Sequence, residues 1–151
     1  MARRFPKPVK FNLTKPEKYI GDADNIIFRS SWEIKFGRWC EANSSVVQWN
    51  SEGVIVPYFS RADNKMRRYY IDFIVKLRTA DGTTKTFMVE IKPESQTKPP
   101  KTGRGRSKKT VLTETYNFMV NTDKWEAAHA YGKKAGMEFI VLSERELGIV
   151  K

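Results

Sequence analysis

Tyr69-Tyr70-Ile71-Asp72-Phe73-Ile74-Val75 and Phe87-Met88-Val89-Glu90-Ile91-Lys92 are the two stretches whose reading decides the fold. Both are rich in β-branched and aromatic residues and alternate with the two-residue period of a strand. In the first, Tyr69, Ile71, Phe73, Val75 and Leu77 form one apolar face. In the second, Phe87, Val89 and Ile91 are apolar while Met88, Glu90 and Lys92 share the other side. The turn between them sets which residues meet. A two-residue Asp81-Gly82 turn would put Asp72 opposite Ile91 and bury charge in an apolar face, because a one-residue slip exchanges the faces. A three-residue loop, Ala80-Asp81-Gly82 with Gly82 left-handed, pairs Thr79 with Thr83. Asp72 then stands opposite Glu90, with Lys92 two residues further on along the same face.

Like charges directly opposite one another are destabilising. Two carboxylates placed this way call for a cation, and their hard oxygens suit magnesium, with manganese able to substitute. Lys92 beside them could orient a water or offset charge on a phosphate. The competing reading is a solvated strand face that happens to carry an Asp, a Glu and a Lys.

At 151 residues and 17.5 kDa the chain has the length of one domain with a substantial core. It contains no apolar run of membrane-spanning length, and the opening Met1-Ala2-Arg3-Arg4-Phe5-Pro6 lacks the apolar stretch of a signal peptide. Cys40 and His129 are the only residues of their kinds. An internal disulfide is therefore impossible, a reducing compartment fits, and zinc chemistry is all but excluded. His129, in an Ala-rich helical stretch, reads as structural.

The formal charge of +11 calls for a polyanionic partner. Lys98, Lys101, Arg104, Arg106, Lys108 and Lys109 fall within twelve residues that hold no acid; taking these six from the 28 Lys and Arg leaves 22 against 17 acids. Pro99, Pro100, Gly103 and Gly105 make this segment a flexible loop (residues 94–112) that starts just beyond Lys92. A basic loop beside an acidic pocket suits nucleic acid, the loop neutralising phosphates and the pocket working on one.

The rest of the chain reads as α/β with a mixed central sheet flanked by helices. Residues 1–25 form a basic arm that packs through Phe5, Phe11 and Tyr19, and residues 26–151 the main domain. A helix over about 31–42 puts Trp32, Phe36, Trp39 and Cys40 on a core stripe. Val46–Trp49 and Gly53–Phe59 are short strands, the second at an edge because of Pro57. A short helix over 112–120 precedes a second one, capped by Asn121 or Thr122, running to Ala135 with Trp125, Ala128 and Tyr131 inward and stopped by Gly136. Glu138–Leu142 is a strand parallel to a neighbour, and Ser143-Glu144-Arg145-Glu146 is a capping box opening a last helical turn. Ser30-Ser31-Trp32-Glu33 is another, so Glu33 has a structural reason to exist as well as a place near the carboxylates. Glu52 is a weaker candidate for a third carboxylate.

Arg29-Ser30-Ser31-Trp32-Glu33, Tyr70-Ile71-Asp72-Phe73 and Val89-Glu90-Ile91-Lys92-Pro93 resemble the PD-(D/E)XK nuclease superfamily, with Ile71 where the superfamily name has Pro. Together with Val56-Pro57-Tyr58-Phe59, Arg67-Arg68-Tyr69 and Val120-Asn121-Thr122-Asp123-Lys124-Trp125, these blocks resemble the head completion nucleases of T-even-like tailed phages over residues 19–142. The resemblance implies a restriction-endonuclease-like core and a magnesium-dependent endonuclease acting on double-stranded DNA during head completion. Its catalytic set would be Glu33, Asp72, Glu90 and Lys92. The metal would be held by Asp72, Glu90 and the Ile91 carbonyl with a contact from Glu33. The resemblance further implies portal, neck or capsid partners, the host cytoplasm or the head-neck region of the virion as location, and no small-molecule substrate. A structural neck protein without activity and a transposon-end or repair endonuclease of the same fold are the alternatives.

Overall fold

The structure is a computed structural model, and it describes residues 8–148. In chain order the elements are β1 (Val9–Lys10), β2 (Ile27–Phe28), α1 (Ser31–Ala42), β3 (Val46–Ser51), β4 (Ile55–Ser60), β5 (Lys65–Tyr70), β6 (Phe73–Arg78), β7 (Thr84–Ile91), α2 (Lys108–Ala135) and β8 (Met137–Leu142). Four strands make the central sheet in the order β3-β6-β7-β8, antiparallel except for the parallel β7–β8 pair. That pair is parallel because the intervening α2 carries the chain back across the sheet. β1 pairs with β2, and β4 with β5, as separate two-stranded ribbons.

The turn chemistry sets the register as the sequence predicts. Gly82 is left-handed (φ +86°), the Thr79 and Gly82 amides donate to the Thr83 and Thr79 carbonyls, and β6 and β7 pair from Arg78–Thr84 to Phe73–Val89. Continued one step past the ladder, this register brings Asp72 to the level of Glu90, and Asp72 Oδ2 accepts the amide of the next residue, Ile91.

The two faces of this sheet bury different cores. Phe36 and Cys40 of α1 pack with Phe28, Val46, Trp49, Phe73, Val75 and Val89 on one side. On the other side Ala128 of α2 packs with Val56, Tyr58, Tyr69, Ile71, Met88 and Phe139. Phe11 lies in the first core and Tyr19 packs edge-on against Trp49, so the arm is tied to the domain through both; Phe5 lies outside the described residues.

Three expectations need correction. The stretch from Tyr69 to Val75 is not one strand with one apolar face. The chain leaves the ladder at Ile71-Asp72, so Tyr69 and Ile71 face the α2 side while Phe73 and Val75 face the α1 side. The partner strand bends at the same level, where Glu52 is left-handed (φ 53°) and donates its N–H to the Asp72 carbonyl (3.2 Å). A non-glycine residue held there is strained, and such strain collects near functional sites. Second, residues 108–135 form one 28-residue helix. Asn121 and Thr122 do not cap a second helix: Asn121 is buried and the Thr122 hydroxyl donates back to the Phe118 carbonyl, while Gly136 (φ 73°) does end the helix. Third, Trp39 and Tyr131 are exposed, and Trp32 is only half-buried.

Candidate active site

Three elements converge where the sheet opens between β6 and β7. β7 brings Glu90 and Lys92, the kink before β6 brings Asp72, and the capped first turn of α1 brings Glu33. Glu90 is almost fully buried, and its two carboxylate oxygens have different partners. The Tyr69 hydroxyl donates to Oε2 at 2.5 Å, and Lys92 Nζ lies 3.8 Å from Oε1. Asp72 Oδ2 accepts the Ile91 amide N–H at 2.9 Å. Ile91 thus touches the site through its amide, which fixes the neighbouring carboxylate.

Burial raises the Asp72 carboxyl well above the usual aspartate range, and the Glu90 and Glu33 charges add to the effect against the opposing pull of the Ile91 N–H and Lys92. The Glu33 carboxyl is raised as well, chiefly by burial; the Ser30 hydroxyl partly offsets this and the Glu52 charge adds to it. Glu33 also belongs to a working cap. Its N–H donates to Ser30 Oγ (3.1 Å), whose hydroxyl lies 3.1 Å from Oε1 of the same Glu33. Glu52 is exposed on the adjoining corner.

Asp72 and Glu90 are the paired donors here, and their mutual repulsion in a buried setting is what a divalent cation would relieve. Among the described residues no three His, Cys, Asp or Glu side chains form a ready-made cluster. Glu33 acts on Asp72 through its charge. The donor chemistry fits a hard, oxygen-preferring ion that keeps some of its waters.

Two participants lay outside the sequence reading. Tyr69, counted there as an apolar strand residue, holds Glu90. Lys124 of α2 lies with its Nζ 5.2 Å from the centre of the Tyr69 ring. Burial lowers its ammonium's pKa, against the opposing pull of the Glu90 and Asp72 charges. Lys124 belongs to the Val120–Trp125 block that carries part of the family resemblance. Partners that fix a ligating carboxylate typically matter by about 10–100-fold. If Asp72 and Glu90 hold a divalent ion, Tyr69→Phe is expected to weaken its binding by roughly tenfold or more, while the buried ring keeps the fold. Titrating magnesium against the melting temperature of the parent and the variant checks this.

The basic segment departs from a uniform loop. Glu94–Thr97 is a turn of 3-10 helix, and Lys108 and Lys109 occupy the first turn of α2, capped by the Ser107 hydroxyl. Lys98 pairs with Glu94 and Arg106 with Glu114. Lys101, Arg104, Lys108 and Lys109 make no ion pair among the described residues. A cleft of about 1030 Å³ lies between this segment, α2 and the turn at Arg145, bordered by Glu94, Lys98, Lys101, Arg106 and Asn121. Asn121 is one helical turn from Lys124, so the cleft's α2 wall runs toward the carboxylates.

A mixed sheet between two helices, with acids on the first helix and at the kink before a central strand and a Glu-x-Lys on the next, defines a restriction-endonuclease-like nuclease. Residues 43–144 match the model of the TnsA-like endonuclease N-terminal domain. The chain is 39% identical over 130 residues to the head completion nuclease of Enterobacteria phage T4, an alignment that covers 84% of each protein. The chain therefore belongs to the head completion nuclease family and carries the TnsA-like endonuclease domain.

Proposed function

We propose that the protein is a magnesium-dependent DNA endonuclease that trims or matures packaged DNA during phage head completion, before tail attachment. The observation that carries the chemistry is Asp72 opposite Glu90 on a buried face, with Lys92 against Glu90. The place in assembly rests on the similarity to the phage T4 protein. Asp72, Glu90 and the Ile91 carbonyl would hold the ion, with Glu33 contacting it directly or through water. The bound ion would supply charge stabilisation on the phosphodiester and a nucleophilic water at neutral pH. Lys92 would orient that water, and Tyr69 and the Ile91 amide keep the two carboxylates in place. Manganese is expected to substitute. Partners in this reading are double-stranded DNA and portal, neck or capsid proteins, met in the host cytoplasm. No helix among the described residues is long and apolar enough to cross a membrane.

The test is purified protein on closed-circular duplex DNA. Nicking or linearisation with magnesium, lost with a chelator and lost in Glu90→Gln, supports the reading. Intact circles under all conditions overturn it in favour of a structural neck role.

The start of α2 supports DNA as the substrate. Lys108 and Lys109 sit at the positive end of the helix dipole and no acid occupies that turn. Each is unfavourable by about 0.3–1 kcal/mol unless an anion faces it. If all six basic residues met phosphates they would contribute roughly −5 to the slope of log affinity against log salt. With Lys98 and Arg106 held by carboxylates, replacing all six by Gln is expected to flatten the slope by about 4. Fluorescence titrations on a duplex at several salt concentrations measure it, and an unchanged slope would assign the segment to a protein partner.

A further inference from the structure

We infer that Lys124 is a second phosphate-binding cation of the active site, contacting the phosphodiester that Asp72, Glu90 and Lys92 act upon. The inference rests on the nuclease reading above and adds to it a residue from the opposite wall.

Its position is the first reason. Asn121, Ala128 and Gly132 lie on the buried stripe of α2, and Gly132 is so close to β8 that a Cβ there would lie 2.5 Å from the Met137 carbonyl oxygen. This close crossing holds the helix against the sheet face that bears Met88 and Glu90. Lys124 falls on the same stripe, between Asn121 and Ala128. Lysine at such a position ordinarily extends its stem to reach water. Here the ammonium rests against the Tyr69 ring, whose hydroxyl is bonded to Glu90.

Its lack of a partner is the second. Neighbouring cations of this region are committed: Arg61 to Asp123, Arg67 to Asp63, and Lys92 lies against Glu90. Lys124 makes no ion pair among the described residues. A half-buried ammonium with no carboxylate in direct contact is costly unless a ligand supplies one.

Charge is the third. Glu33, Asp72 and Glu90 carry three negative charges, and Lys92 with a divalent cation balances them. Lys124 is then one positive charge in excess, the complement of one phosphodiester. A site meant only to hold the metal has no use for it, since a cation beside the carboxylates weakens metal binding.

That opposition makes the test decisive. Lys124→Met keeps most of the stem and removes the charge. The inference expects single-turnover cleavage at saturating magnesium to fall by roughly 100-fold, as for loss of one donor to a reacting oxygen. The magnesium concentration for half-maximal rate should stay the same or fall. In an Asp72→Asn background, where cleavage is silent, Lys124→Met should weaken duplex binding and reduce the salt slope by about 1. Lys124→Arg should recover a substantial part of both. A melting curve shows whether Lys124→Met folds; if it does not, Lys124→Gln carries the same measurements.

A lysine that merely balanced the carboxylates would leave the saturated rate and the salt slope at the parent's values, and this outcome overturns the inference. Failure of the parent itself to cleave with magnesium overturns the nuclease reading instead.

Discussion

Replacing Asp72 by Asn is expected to abolish cleavage and, with no divalent cation present, to raise the melting temperature. On the proposed reading the loss of cleavage follows from removing one of the two carboxylates that would hold the ion, worth several kcal/mol of transition-state stabilisation and so a fall of about 1000-fold or more. The gain in stability has a separate cause. Asn still accepts the Ile91 amide through its side-chain oxygen, so the hydrogen bond at 2.9 Å survives while the repulsion from Glu90 and Glu33 goes. A gain of about 1 kcal/mol would correspond to roughly 2–4 °C for a domain of this length.

Its pH dependence has a definite sign. The folded state raises the Asp72 carboxyl above its unfolded value of about 3.9, so the folded protein holds this proton more tightly. Ionising the group costs stability progressively as pH climbs from the unfolded value to the folded one, and the cost is complete above that. The advantage of Asp72→Asn should therefore be absent at about pH 3 and grow as pH rises from there toward the folded-state value. Thermal melts across pH in the presence of a chelator show it. A variant less stable than the parent at neutral pH would mean that the carboxylate is well satisfied without a cation.

The second large effect separates the observed cap at Glu33 from the metal-contacting role proposed for it. The structure makes the cap real, since the Glu33 amide donates to Ser30 Oγ. Gln serves in a capping box nearly as well as Glu, and the lost charge at the helix N-terminus costs some tenths of a kcal/mol. Removing a carboxylate that burial and Glu52 already disfavour offsets part of that cost. Glu33→Gln should thus melt close to the parent and yet cleave at least about tenfold more slowly if it contacts the ion or its water. Ser30→Ala should do the reverse, losing about 1 kcal/mol of cap while keeping activity wherever the protein stays folded. Parental cleavage by Glu33→Gln would leave Glu33 a cap alone and make Glu52 the carboxylate to test.

Much of this site was legible because register is discrete. Once Thr79 pairs with Thr83, every pairing along β6 and β7 follows, and Asp72 can only meet Glu90. The helix start at Ser30-Ser31 and the stop at Gly136 were legible for the same reason: caps are local, and local hydrogen bonds decide them.

What escaped had causes beyond local pattern. The face exchange at Ile71-Asp72 leaves the apolar alternation of the sequence untouched, because a twist of the chain changes where a side chain points without changing which residues are apolar. The long α2 runs through Asn121, Thr122 and Asp123, all residues that favour caps, because burial claims Asn121, a tertiary ion pair claims Asp123, and Thr122 bonds back to Phe118 within the helix. Asp123 accepts the Arg61 amide at 2.9 Å and its side chain at 2.7 Å, so it is spent on the turn after β4. Tyr69 and Lys124 were invisible for a simpler reason. A tyrosine in a strand reads as apolar and a lysine in a helix as solvated until the fold sets both beside Glu90.

The most direct test of the central claim, that Asp72 and Glu90 form a divalent-metal centre, needs no DNA at all. Magnesium is titrated against the melting temperature of the parent and of Asp72→Asn. At 100 times its dissociation constant the ion would stabilise the parent by about 2.7 kcal/mol, a rise of roughly 5–10 °C, and the variant should show little of it. Equal magnesium stabilisation of the two proteins would contradict the account.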